Sequence, residues 1–320
     1  MELLERVRRI GLVPVVAFES ADQAVPCSRA LREAQLDIIE ITMRTAAGIE
    51  SIRRVKAEFP DMVVGAGTVL TLEKAKEAVD AGAEFVVLPG YQEDVVAWCV
   101  GKGVAVLPGC VTPAEIQLAL QKGLKVLKFF PADVYGGVKA LKALNGPFGP
   151  SGVTFIPTGG VDQKNLADYV QVPFIAAVGG GWLCSSKQIK EADYAGITKT
   201  VKESIDVLLG FELGHVGFNT AGAEQSEEIT KTLVSAFHFP YLPGNSANFA
   251  GAAVEVVKST GLGKNGHVAI KTNNIDRAEY YLAKRGFVVD PATAKSKDGK
   301  TTAVYLKDEI GGFAFHLLQK

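Results

Sequence analysis

The sequence has little of what would set it apart from ordinary globular proteins. It carries four cysteines, Cys27, Cys99, Cys110 and Cys184, with no CxxC pair among them. That excludes a disulfide framework and a cysteine-rich zinc site, and it suits a reducing compartment. No apolar run approaches the ~20 residues that a membrane span needs. The opening MELLERVRRIGLVPVVAF has charges in its first ten residues and then a short apolar run, without the core and cleavage site of a secretion signal. A cytoplasmic protein with no membrane partner is expected. An excess of one charge is also missing: the net charge of −1 leaves no basic surface for nucleic acid. Histidine is scarce, and all four copies fall between residues 215 and 316.

What is present is 320 residues, 48% hydrophobic and 22% charged, enough for a globular chain of two domains. Up to about residue 209, short β-branched runs recur: VPVVAF (13–18), DIIEIT (37–42), MVVGAG (62–67), EFVVLP (84–89), VAVLPG (104–109), LKVLKFF (124–130), VTFIPT (153–158) and FIAAVG (174–179). Amphipathic segments such as SADQAVPCSRALREA and TLEKAKEAVDAG separate them at helical spacing. Eight strands alternating with helices imply an α/β fold, and eight is the count that closes a (β/α)8 TIM barrel. A doubly wound open sheet is the competing architecture. In a barrel the active site gathers at the C-terminal ends of the strands.

Lys128 ends the sixth run, with Val126 and Phe130 on its side of the strand by alternation. A lysine among Val, Leu and Phe is costly to keep charged, and a neutral amine is what attack on a ketone requires. The plainer alternative is a lysine that snorkels at a strand end, and the strand alone does not separate the two. The second run places Glu40, Thr42 and Arg44 on one face. Polar groups inside a barrel rim point to a site or to a structural Glu–Arg pair. Arg44 can fork onto a carboxylate, and Glu40 can act as acid and base. Thr68 stands at the rim of the third strand. Glycine clusters follow strands seven (IPTGGV, 156–161) and eight (VGGGW, 178–182), where barrels commonly hold phosphates on backbone N–H groups.

The segments EITMRT (40–45), GAGTV (65–69), LPGCVTPAE (107–115), LKFFPA (127–132) and PTGGV (157–161), in this order and spacing, resemble the 2-keto-3-deoxy-6-phosphogluconate (KDPG) aldolase / 4-hydroxy-2-oxoglutarate (KHG) aldolase family over residues 1–209. The resemblance implies a class I aldolase that forms a Schiff base on Lys128, with Glu40 as acid and base through water. It implies that Arg44 and Thr68 hold the pyruvyl carboxylate, that Pro89 and Phe130 shape the pocket, and that Thr158, Gly159, Gly160, Gly179 and Gly180 surround the distal phosphate. The substrates implied are KDPG, giving pyruvate and glyceraldehyde 3-phosphate, and KHG, giving pyruvate and glyoxylate. No cofactor is implied for the aldol step, and the assembly implied is a homo-oligomer, a trimer. One departure stands out: many relatives carry serine where this chain has Gly181. Ser185, Ser186 or a substrate without phosphate would each account for it.

Beyond a boundary expected between residues 210 and 211, period-2 strands and an internal echo appear. GHVGFNT (214–220) recurs as GHVAIKT (266–272), and each copy leads through a helical segment to a glycine-led strand. A small α+β domain of paired βαβββ modules is expected. It resembles the vicinal oxygen chelate (glyoxalase/dioxygenase) superfamily. That resemblance implies a divalent metal, Zn, Ni, Fe or Mn, on His215, Glu255, His267 and His316. His316 stands where glyoxalase-like members usually have glutamate, and His238 has no repeat partner. The alternative is a domain without metal. For the whole chain, a phosphate-binding isomerase or decarboxylase and a non-catalytic metabolite-binding regulator are the other readings.

Overall fold

Runs of β-branched residues cut short by glycine or proline pack well on a pleated surface but cannot extend far. In the computed structural model, which describes residues 2–320, they form eight short strands in the first unit. These are β1 (Leu12–Val16), β2 (Ile38–Thr42), β3 (Val63–Gly67), β4 (Phe85–Val87), β5 (Ala105–Leu107), β6 (Val126–Phe129), β7 (Thr154–Pro157) and β8 (Val178–Gly180). Every pairing among them is parallel, with helical segments between successive strands. β2 and β3 are buried on both faces, as parallel sheets with helices outside require.

The sheet curls so that β1 lies beside β8. Instead of one uninterrupted eight-stranded ring, there is a six-stranded sheet, β5-β4-β3-β2-β1-β8, and a two-stranded sheet, β6-β7. Single bridges, Gly109 to Lys128 and Thr158 to Gly179, join them. At the first junction Pro108 has no N–H to give, so its carbonyl accepts from Lys128 N and the Lys128 carbonyl accepts from Cys110 N. The eighth run starts later than its apolar pattern suggests. Residues 174–176 hydrogen-bond to Phe155 beside β7, and the chain joins β1 only from Val178.

The second unit begins at Leu209, two residues before the expected boundary, because the helix Tyr194–Leu209 ends there. Its strands are β9 (Glu212–Phe218), β10 (Tyr241–Pro243), β11 (Ala247–Ala250), β12 (Val254–Val257), β13 (His267–Thr272), β14 (Lys295–Lys297), β15 (Lys300–Tyr305) and β16 (Ala314–Gln319). They form one eight-stranded sheet in the order β10-β11-β12-β9-β13-β16-β15-β14. Each half reads strand, helix, three strands, with Ala223–Phe237 and Ile275–Lys284 as the helices. In each half the last strand runs parallel to the first, and the halves meet through the antiparallel β9–β13 pair. No helix of the described residues is long and apolar enough to cross a membrane.

Candidate active site

Lys128 on β6 and Glu40 on β2 come from strands that do not pair with each other. Their side chains nevertheless meet, with Lys128 Nζ 3.3 Å from Glu40 Oε1. The two side chains are only 6% and 4% exposed. A buried ion pair of this kind is weak evidence for stability, since desolvation offsets much of the attraction. Lys128 is the third of four residues in β6 and Glu40 the third of five in β2, so the pair lies within the strands and not in a connecting loop. Gly67 makes the contact possible, because a Cβ there would collide with the Glu40 carboxylate. The Phe130 ring covers the amine, with its centroid 5.2 Å from Nζ.

Arg44 lies beyond the end of β2, in the turn that follows, and is exposed. It is thus a rim residue rather than part of the strand's alternating face. Its Nε donates to Thr42 Oγ1 at 3.2 Å, and its terminal nitrogens have no acidic partner among the described residues. That leaves the fork of the guanidinium for a carboxylate. Thr68 has φ +53°, a left-handed conformation that a β-branched residue adopts only at a cost. Pro89 is half-buried, and its carbonyl packs so tightly on Gly109 that a Cβ there would collide with it.

Thr158, Gly159 and Gly160 follow the end of β7, and Gly179 and Gly180 lie within β8. Thr158 is buried, and its Oγ1 would lie 2.5 Å from a Cβ at Gly179. Gly159 and Gly160 have φ of +87° and +75°, so both need glycine. Gly180 lies against the ring of Trp182. Ser185 Oγ donates to Gln188 Oε1 at 2.7 Å and accepts from Gln188 N at 3.3 Å, a capping box that commits this hydroxyl to its own helix. Of the two serines considered for the missing Gly181 hydroxyl, only Ser186 is uncommitted and exposed. Asp133, whose Cβ blocks any side chain at Gly160, went unnoticed in the sequence. So did the contact of Trp182 Nε1 with Ser204 Oγ, 3.2 Å. The tryptophan directly after three glycines was the available signal.

The second unit brings its four predicted residues onto one face. His215 Nε2 and His267 Nε2 lie 2.9 and 3.1 Å from Glu255 Oε2 and 3.1 Å from each other. Nitrogens of His215, His267 and His316 fall within 4.8 Å of one another, and Gly217 leaves room for the His267 ring. His316 stacks on Tyr305, ring centroids 4.7 Å apart. Neither nitrogen of His316 has a hydrogen-bond partner, although both are buried. Burial, with charge on the neighbouring imidazoles, pushes His316 down to about 4. Burial would raise the Glu255 carboxyl, but hydrogen bonds from His215 and His267 outweigh it and hold the group down to about 2. His238 is exposed at the left-handed end of the helix Ala223–Phe237, away from any cluster.

The family model for KDPG and KHG aldolases matches residues 3–200. The 2-dehydro-3-deoxy-phosphogluconate aldolase of Treponema pallidum (strain Nichols) is 42% identical over 206 residues, covering 64% of this chain and 97% of that protein. The KHG/KDPG aldolase of Escherichia coli K12 is 38% identical over 195 residues, covering 61% and 91%. Among solved structures, Legionella pneumophila KDPG aldolase, with pyruvate captured as a covalent carbinolamine, superposes with a TM-score of 0.61 at 32% identity, covering 63% of this chain and 97% of that one. The Zymomonas mobilis ZM4 aldolase with 3-phosphoglycerate gives 0.59 at 37% identity, covering 64% and 95%.

Proposed function

This chain belongs to the KDPG and KHG aldolase family, and from that premise we propose that Lys128 is its Schiff-base nucleophile and Glu40 its acid and base. The enzyme is a class I aldehyde-lyase that cleaves KDPG to pyruvate and glyceraldehyde 3-phosphate, or KHG to pyruvate and glyoxylate. The observation that carries the residue assignment is the buried contact of Lys128 Nζ with Glu40 Oε1, 3.3 Å.

Once Lys128 has given up a proton, its amine adds to the C2 ketone, and loss of water from the carbinolamine leaves an iminium. Glu40, through water, takes the C4 hydroxyl proton, and the C3–C4 electrons move into the iminium. An aldehyde leaves, and the remaining enamine is protonated at C3. Hydrolysis then frees pyruvate and the amine. Arg44 and Thr68 bind the carboxylate, and Pro89 and Phe130 wall the pocket. Thr158, Gly159, Gly160, Gly179 and Gly180 receive the distal anion. We read the strands of the first unit as a (β/α)8 barrel, which the β1–β8 pairing supports, and the assembly as a homotrimer. The test is borohydride reduction in the presence of pyruvate. A reduced pyruvyl adduct on the Lys128 peptide is expected, and an unmodified folded protein would remove the assignment.

The second unit we read as a vicinal oxygen chelate domain spanning 211–320, an assignment supported by its paired βαβββ halves. His215, Glu255, His267 and His316 fit a divalent metal, because imidazole and carboxylate donors converge and buried His316 is otherwise unpartnered. Zn, Ni, Fe and Mn all suit such donors. A metal there would polarise an oxygen ligand. Elemental analysis of purified protein is expected to find close to one equivalent per chain, lost in His267→Ala. No metal above background after loading with each ion would leave the Glu255 hydrogen bonds as the cluster's whole purpose.

A further inference from the structure

An anion held by backbone N–H groups is held only as well as that backbone is fixed. In the loop after β8 this matters more than usual, because Gly181 offers no side chain and Ser185 Oγ is engaged in its own cap. Trp182 supplies the support. Its ring fills the space where a side chain of Gly180 would stand, and its Nε1 donates to Ser204 Oγ at 3.2 Å. Ser204 is fully buried on the helix Tyr194–Leu209. The same Oγ lies 2.7 Å from Gln163 Oε1 and 2.8 Å from the Thr200 carbonyl. Gln163 sits just beyond the glycines of the loop after β7. One buried hydroxyl therefore reaches a residue beside each glycine loop.

We propose that Ser204 is a positioning residue that sets the spacing of the two glycine loops, and through it the preference for a phosphorylated over a short unphosphorylated 2-keto acid. The inference rests on the aldolase reading above. Ser204 touches no substrate. Its oxygen accepts the Trp182 N–H while its single proton goes to Gln163 or to the Thr200 carbonyl. Removing the hydroxyl strands the indole N–H and the amide oxygen, and the loops relax toward a spacing of their own. The phosphate end of the substrate reads that change, whereas the pyruvyl end, bound across the pocket at Lys128, does not.

The experiment compares Ser204→Ala and Ser204→Thr with the parent full-length chain, using KDPG, KHG and inorganic phosphate as a competitor. For Ser204→Ala, the KM for KDPG is expected to rise about 10-fold, the scale of one lost hydrogen bond, and phosphate inhibition to weaken in parallel. The kcat/KM for KHG should stay within about 2-fold, and Ser204→Thr should restore the parent values. Equal losses on both substrates, no change on either, or a parent enzyme with no KDPG turnover would overturn the proposal. If Ser204→Ala does not fold, Trp182→Phe keeps a ring over Gly180, removes the N–H and is judged by the same ratio. Pyruvate trapping on Lys128 runs alongside: its absence in the parent chain condemns the aldolase reading, while its presence with an unshifted substrate ratio condemns only the role of Ser204.

Discussion

Replacing Lys128 by methionine is expected to lower kcat/KM for KDPG and KHG by about 10⁴-fold or more, because the covalent route disappears with the amine. A loss of that size corresponds to about 5.5 kcal/mol of transition-state stabilisation. The competing explanation is unfolding. Breaking a buried ion pair leaves Glu40 uncompensated and costs about 3–5 kcal/mol, which is comparable to the low end of a domain's total stability. Thermal melting therefore has to accompany the kinetics. A variant that melts cooperatively, binds no pyruvate covalently and turns over nothing places the chemistry on Lys128. A variant that keeps even a tenth of parental turnover would move the nucleophile elsewhere. Methionine suits the test because it fills similar volume beneath the Phe130 ring.

The second large effect belongs to Glu40→Gln. The amide is nearly the same shape, so it occupies the space that Gly67 leaves open and keeps an oxygen facing Lys128 Nζ. What it loses is the capacity to take and return a proton. Aldol cleavage is expected to fall by about 10²–10⁴-fold, the usual contribution of a positioned acid–base group. Borohydride should still trap pyruvate on Lys128, more slowly, because the protons needed to dehydrate the carbinolamine to the reducible iminium can come from water. The two readouts separate the roles. If trapping falls as far as cleavage does, Glu40 acts at or before formation of the iminium. If cleavage falls by less than about 10-fold, the proton carrier is another group.

Most of the first unit was legible because a parallel strand buried on both faces is a continuous apolar run, and a polar residue interrupting such a run stands out. Glu40 and Lys128 were visible for that reason. Alternation carries Arg44 onto the strand face because nothing in the sequence marks the end of β2 at Thr42, where the chain turns. The start of the eighth strand is not legible because FIAAVG is uniformly apolar, and nothing in it marks where the chain leaves β7 for β1. Ser204 was invisible: a serine within an amphipathic helix reads as neutral, and its partners Gln163 and Trp182 lie 41 and 22 residues away. In the second unit the duplicated GHV segment reveals the pseudo-symmetry, so His215 and His267 pair from the sequence alone. The stacking of His316 on Tyr305 depends on the pairing of β15 with β16, which no local pattern announces.

The two sheets of the first unit divide the chemistry between them. Glu40 belongs to the six-stranded sheet and Lys128 to the two-stranded one, 88 residues apart along the chain. A chain that has formed its helices and most of its strand pairs still holds an amine without its carboxylate until β6 and β7 dock. Contacts between residues so far apart are entropically late in folding. Recovered turnover during refolding is thus expected to report the meeting of β6 with β2, whereas circular dichroism reports the helices and strands themselves. A nascent chain on the ribosome carries no reactive lysine environment before its strands have met.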